Sequence, residues 1–257
     1  MAPLLIIDPG HGGIDPGGGS NQLFTEKKMV LDISLYQYRR FQELGIEVAI
    51  TRTEDITLDS ETRAEIVRSS DADYCISNHI NTGGGRGAEA IYSIYATAAL
   101  PSTLLDQLEA VGMPRRRVFT RAYPGNPRLD YYYMHRETGK VETVILEYGF
   151  ADNPLDAQKI DTDWEALSEA VVRGFCEHTG KTYRPPSGSD TPAPNPPNGT
   201  PVNWDSLPDW KREGVDWLYE QGLLTSADWR SQIDQPLPLW AEAVVLRRFY
   251  EKLRGNS

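Results

Sequence analysis

The stretch "RPPSGSDTPAPNPPNGTP", residues 184–201, holds seven of the chain's 18 prolines. Such a run offers few backbone donors and little apolar surface. It cannot build a core and favours an extended, semi-rigid spacer. No single fold runs through it, so the chain reads as three parts: residues 1–180, a spacer over 181–202, and residues 203–257. The first part is long enough to bury one sizeable core. The last is short and leans on aromatic anchors, holding five of the six tryptophans: Trp204, Trp210, Trp217, Trp229 and Trp240.

The large part alternates strand and helix signals. "LLIID" reads as a buried strand. "EKKMVLDISLYQYRRFQELG" follows as a helix, with Leu31, Leu35 and Tyr38 on one face, Val30, Ile33, Phe41 and Leu44 beside them, and Gly45 as its stop. "IEVAI" is a strand, "SETRAEIVRSS" a helix, "DYCIS" and "AEAIYSIYA" strands, and "LPSTLLDQLEAVG" a helix. "TVILEYGF" is a further strand and "DWEALSEAVVRGFCEHTG" a closing helix. The alternation predicts an α/β domain with a mixed, mainly parallel sheet flanked by helices on both faces. In the small part, "PDWKREGVDWLYEQGLL" and "LPLWAEAVVLRRFYEKL" predict a mainly helical second domain.

A net charge of −11 argues against nucleic acid as a partner. No apolar run approaches the roughly 18 residues that a membrane span needs, so no membrane insertion is expected. The opening residues show no basic segment ahead of a long apolar one. The expectation is therefore synthesis in the cytoplasm without a signal peptide. Cys75 and Cys176 stand far apart and read as buried, reduced thiols.

The chemistry gathers around two of the four histidines. His11 in "LLIIDPGH" and His79 in "YCISNH" each lie just past the end of a predicted strand. In a parallel arrangement both emerge at one sheet edge, where ligands bind in such folds. Two imidazoles meeting there are candidate zinc donors. A catalytic zinc takes a third protein ligand. Glu26 stands at the start of the long helix, where the helix dipole alone also accounts for an acidic residue. Asp8, Asp15 and Asp32 compete with it. Glu147 ends the apolar run "TVILEY", and a carboxylate there is expensive unless paired or functional. It reads either as the base of a hydrolytic site or as the partner of a structural arginine such as Arg52 or Arg63. A phosphate cradle is excluded. "GHGGIDPGGGS" matches neither G-x-x-x-x-G-K-[ST] nor a G-x-G-x-x-G that opens directly into a helix.

Taken in order, "IIDPGHGGIDPG", Glu26, "VAITRTED", "SETRAEIVRSSDADYCISNHIN", "GAEAIYS" and "VILEYGFADNPLDAQKI" resemble the zinc-dependent N-acetylmuramoyl-L-alanine amidases of the type-3 amidase family. That family includes bacterial autolysins and phage endolysins. The resemblance covers about residues 2–177 and implies Zn²⁺ held by His11, Glu26 and His79, with Glu147 as the catalytic glutamate. It implies hydrolysis of the amide between N-acetylmuramic acid and L-alanine in peptidoglycan; a zinc peptidase cutting within the stem peptide is the competing activity. The stretch "PGNPRLDYYYMHRET" is similar to the region that shapes the family's substrate groove. The segment "WLYEQGLL…PLPLWAEAVVLRRFYE" is similar to an S-layer-homology unit, which implies binding to a cell-wall polymer and a homodimer through this part. The whole reads as a phage endolysin, rather than an autolysin, acting on the wall of a Gram-positive host after release from the cytoplasm.

Overall fold

The computed structural model describes residues 2–186, 209–221 and 223. These fall in two units, divided after Pro186. The first holds a six-stranded sheet of order β2-β1-β3-β8-β4-β5. Its strands are β1 (Leu5–Pro9), β2 (Val48–Ile50), β3 (Tyr74–Asn81), β4 (Ala88–Tyr92), β5 (Arg115–Thr120) and β8 (Glu142–Phe150). β2, β1, β3 and β8 run parallel. β4 pairs antiparallel with β8 and parallel with β5, so the last two strands are reversed. A two-stranded hairpin, β6 (Ala122–Tyr123) and β7 (Asn126–Asp130), stands apart from the sheet.

The sheet's two faces are unequally covered. α1 (Glu26–Glu43), α3 (Ala99–Ala110) and α5 (Pro154–Thr179) cover one face. There Leu5, Ile7, Ile76, Val144 and Leu146 meet Val30, Ile33, Phe41, Leu104, Leu105 and Phe175 in the main core. α2 (Ser60–Ser69) and the short α4 (Tyr133–Arg136) cover the other face, over Ile6, Cys75, Ile91 and Ile145. On α1 the buried positions Met29, Val30, Ile33, Gln37, Arg40 and Phe41 recur at helical spacing and form one stripe. α2 is capped by the Asp59 side chain accepting from the Thr62 N–H at 2.8 Å. α5 is capped by Asn153, begins on Pro154 and stops at Gly180 in the left-handed conformation.

The mainly parallel sheet with helices on both faces is the expected fold. Several details differ from the sequence reading. α5 starts at Pro154 rather than Asp163, where the helix kinks. β5, "RRRVFT", escapes notice because its first three residues are exposed arginines. β3 continues to Asn81, so His79 lies within it rather than past its end. Both cysteines are buried and unbridged. Among the described residues no helix is long and apolar enough to cross a membrane.

The second unit is described by α6 (Asp209–Glu220), the first of the two helices expected there. Trp217 on it is 48% exposed. The second expected helix, which carries Trp240, lies outside the described residues, as do Trp204 and Trp229.

Candidate metal centre

Beyond Pro9 the chain leaves the sheet through a glycine-rich loop. Gly10 lies against the His79 ring, and a Cβ there would approach its Cε1 to 2.3 Å. Gly17, at φ 83°, leaves the same kind of room for Glu26. His11 takes φ 58°, rare for a residue with a side chain, and this turns its ring toward the sheet edge. The strain is held in place by two arginines. Arg52 donates to the Pro9 and Gly10 carbonyls at 3.1 and 2.8 Å. Arg63 donates to the Pro9 and His11 carbonyls at 2.6 and 2.7 Å.

Strand alternation positions the other groups. Cys75, Ser77 and His79 share the less covered face of β3; Thr143, Ile145 and Glu147 share it on β8. His79 and Glu147 are direct partners in register. Glu26, the first residue of α1, is buried. Its Oε1 accepts from the Ile80 N–H at 2.9 Å and its Oε2 from the Gly19 N–H at 2.7 Å.

His11, Glu26 and His79 thus converge: their ligand atoms all lie within 4.8 Å of one another. His11 Nε2 is 3.0 Å from Glu26 Oε1 and 3.1 Å from His79 Nδ1, and His79 Nδ1 is 3.3 Å from Glu26 Oε1. Donors about 2.0–2.1 Å from a tetrahedral zinc stand about 3.3 Å apart, so these spacings fit that ion. Two imidazoles and a carboxylate also match a catalytic donor set. Asp15 Oδ2 lies 2.8 Å from His11 Nδ1. With the ring's proton donated there, Nε2 presents its lone pair to the centre. Burial works against protonating His11, yet the hydrogen bonds and charges of Glu26 and Asp15 raise its pKa. Burial alone would raise the Glu26 pKa, but the two imidazoles hold it far below the usual carboxylate range.

The rival acidic residues have other partners. Asp8 is fully buried, accepting from Arg63 at 2.6 Å and from Thr51 and Ser77 at 2.7 Å each. Asp32 pairs with Lys28 on the surface of α1. His135 and His178 lie elsewhere, on α4 and α5.

Glu147 stands beside the cluster without an arginine; Arg63 is engaged by Asp8 and Arg52 by loop carbonyls. Its Oε2 is enclosed and has no hydrogen-bond partner among the described residues. Burial pushes its pKa up to about 7; the charges of His79 and His11 oppose that rise and those of Glu26 and Glu89 add to it. Glu89 was missed in the sequence. It is Glu147's register partner on β4 and is 1% exposed. The alternation in "AEAIY" was the available signal, since it places Glu89 and Ile91 on one face.

Three convergent donors at the edge of a mixed α/β sheet, with an unpaired carboxyl beside them, form a group that could hold a metal ion next to a candidate base. The family model described as Amidase_3, N-acetylmuramoyl-L-alanine amidase, matches residues 5–177, and the chain belongs to this family of hydrolases. The chain is 29% identical over 181 residues to the N-acetylmuramoyl-L-alanine amidase CwlM of Bacillus licheniformis, covering 70% of this chain and 68% of that one. It is 30% identical over 176 residues to the probable cell wall amidase LytH of Staphylococcus aureus, covering 66% of this chain and 56% of that one. Among solved structures, Cwp6 from Clostridium difficile superimposes with a TM-score of 0.65 at 26% identity, over 69% of this chain and 29% of that one.

Proposed function

We propose that the chain is a zinc-dependent amidase that hydrolyses the amide joining N-acetylmuramic acid to L-alanine in peptidoglycan. The observation that carries this reading is the unpaired Glu147 carboxyl beside the His11–Glu26–His79 cluster. His11 Nε2, Glu26 Oε1 and His79 Nδ1 would hold the ion. When bound, zinc supplies Lewis acidity toward the amide carbonyl and the attacking water. The chain's own residues do the rest. Asp15 orients His11, and the Ile80 and Gly19 N–H groups fix Glu26. Glu147 takes a proton from the attacking water as the C–O bond forms. It returns that proton to the alanine nitrogen as the C–N bond breaks. A pKa near 7 suits both transfers.

The test is digestion of purified peptidoglycan followed by mass spectrometry. The wild-type chain is expected to release free L-alanine amino termini, and Glu147→Gln to lose about 10²–10⁴ of the rate while keeping its zinc. Chelation should stop the reaction and Zn²⁺ should restore it. New termini within the stem peptide would replace the amidase reading with a peptidase one.

The finer assignment is a phage or prophage endolysin acting on a Gram-positive wall. Its support is the two-part organisation: an amidase unit, a proline-rich stretch and a tryptophan-rich segment with Trp217 exposed. In this assignment residues 203–257 bind a wall polymer, raise the local enzyme concentration and pair two chains. Sedimentation of the full chain, alone and with purified walls, tests both roles; a monomer that stays in the supernatant would overturn them. Expressed inside host cells, the chain should lyse them only when a membrane-permeabilising partner is supplied. Lysis without that partner would overturn the release step.

A further inference from the structure

We propose that Arg116 and Arg117 form a carboxylate-binding subsite that reads the charge of the substrate peptide beyond the scissile amide; the inference rests on the amidase reading above. Register partners run in one row across four strands: His79 on β3, Glu147 on β8, Glu89 on β4 and Arg117 on β5. Partners in register share a face of the sheet, so the row continues the candidate centre toward the β5 edge. An irregularity between Ala88 and Glu89 leaves Arg116 without a facing partner, since Ala88 pairs with Arg115 and Glu89 with Arg117. This bulge lets both arginines reach Glu89, as bulges elsewhere re-aim side chains.

The two guanidinium groups are held in advance. Arg117 donates from Nε and Nη2 to Glu89 at 2.8 and 3.3 Å, and Arg116 donates from Nη1. Asn81 occupies Glu89 further at 3.0 Å. Arg117 stacks 4.0 Å over the Phe119 ring, and Arg116 lies 5.2 Å from the Phe150 centroid. Each arginine is anchored at one edge and one face, yet Arg116 is 38% and Arg117 52% exposed. Each carries five N–H donors, of which Glu89 takes one from Arg116 and two from Arg117.

Both guanidinium groups face the single carboxylate of Glu89, so one of the two positive charges has no carboxylate of its own. A planar, preorganised guanidinium fork at a solvent edge matches a carboxylate. Arg117 stands two strands from Glu147, about 10 Å at about 4.8 Å per strand. Three extended residues span about the same distance, at roughly 3.3 Å each. The carboxylate read here therefore belongs to the second or third residue of the peptide.

The experiment compares synthetic N-acetylmuramoyl peptides that differ only in bearing carboxylates or carboxamides on residues two and three. The full-length chain is expected to favour the carboxylate form about ten- to hundredfold in kcat/KM, chiefly through KM. Arg117→Gln should bring that ratio close to one, and Arg117→Lys should retain part of it. Arg116 still faces Glu89 in both variants, and their thermal midpoints report the fold; if Arg117→Gln does not fold, Arg116→Gln carries the same test. If the arginines serve only to neutralise Glu89, the variants lose rate equally on both substrates and the ratio stays as in the wild type, which would overturn the subsite. Equal wild-type rates on the two substrates would overturn it too and leave the amidase reading standing. Cleavage of neither would overturn both.

Discussion

Gly10→Ala isolates the geometry of the candidate centre with a single methyl group. Gly10 does not take a positive φ, so alanine meets no left-handed penalty there. The added Cβ would sit 2.3 Å from His79 Cε1, 2.6 Å from Nε2 and 2.7 Å from Nδ1, where ordinary contact begins at 3.4 Å. The ring must retreat by about 1 Å, whereas ligand positions tolerate only about 0.2 Å. His79 is 22% exposed and has room to swing outward, so the damage falls on ligation and not on the core. With one of the three proposed ligands displaced, zinc affinity is expected to fall at least a hundredfold, about 2.8 kcal/mol at about 1.4 kcal/mol per tenfold. Competition with a chromophoric chelator measures this, and thermal unfolding in EDTA shows whether the metal-free fold is intact. A Gly10→Ala chain that holds zinc with wild-type affinity would refute the assignment of His79 as a ligand.

Asp15→Ala, which removes the acceptor from His11 Nδ1, is expected to weaken zinc binding about 10–100-fold in the same assay. Glu147→Gln is expected to raise the thermal midpoint of the metal-free chain, because it removes a carboxyl whose charge is disfavoured by burial; a lowered midpoint would point to a structural role. Asp8→Asn breaks a buried pair with Arg63 and is expected to cost about 3–5 kcal/mol in urea denaturation at pH 6. Burial opposes the Asp8 charge, but Arg63, Ser77 and Thr51 hold its folded pKa below the usual value. The stability it contributes is therefore complete above an unfolded pKa of about 3.9 and is lost as pH falls through the lower folded value. The wild-type chain should lose stability over that interval and Asp8→Asn should show a flatter acid limb; identical limbs would count against the pairing.

The strands that build the parallel half of the sheet were legible because they are short apolar runs between helical patterns. β5 was not, because an exposed edge strand of arginines carries no apolar signal. The reversal of β4 was hidden as well, since strand direction depends on how α3 and the loops return the chain. His11 stands out in the sequence just past β1, His79 just past a predicted strand that in the structure continues to Asn81, and Glu147 as a carboxylate in an apolar run; the structure brings His11 and His79 together with Glu26. Asp15 competes as a ligand in the sequence, because four-residue spacing cannot distinguish bonding an ion from bonding His11. Gly10 carried a signal whose meaning only packing reveals: its space belongs to an imidazole from a strand 69 residues away in sequence.

The unequal covering of the sheet explains why the chemistry collects on one side of it. On β3 the even positions from Tyr74 to Ile80 face the three long helices, and the odd positions Cys75, Ser77 and His79 face α2 and the loops. On β8 the same division sends Val144, Leu146 and Tyr148 into the main core and Ile145 and Glu147 to the open side. A one-residue slip of either strand would exchange the two sets. It would place His79 or Glu147 among Leu104, Leu105 and Phe175 and bring Leu146 or Ile80 to the candidate centre. The register is therefore held by the main core: the burial of Val144, Leu146 and Tyr148 at 0% exposure keeps Glu147 beside His79. A cavity-forming change such as Leu146→Ala, one residue from Glu147 on the opposite face, is expected to cost about 2–5 kcal/mol of stability. It should leave the ratio of carboxylate to carboxamide cleavage unchanged, because the row on the open face keeps its register until the sheet unfolds.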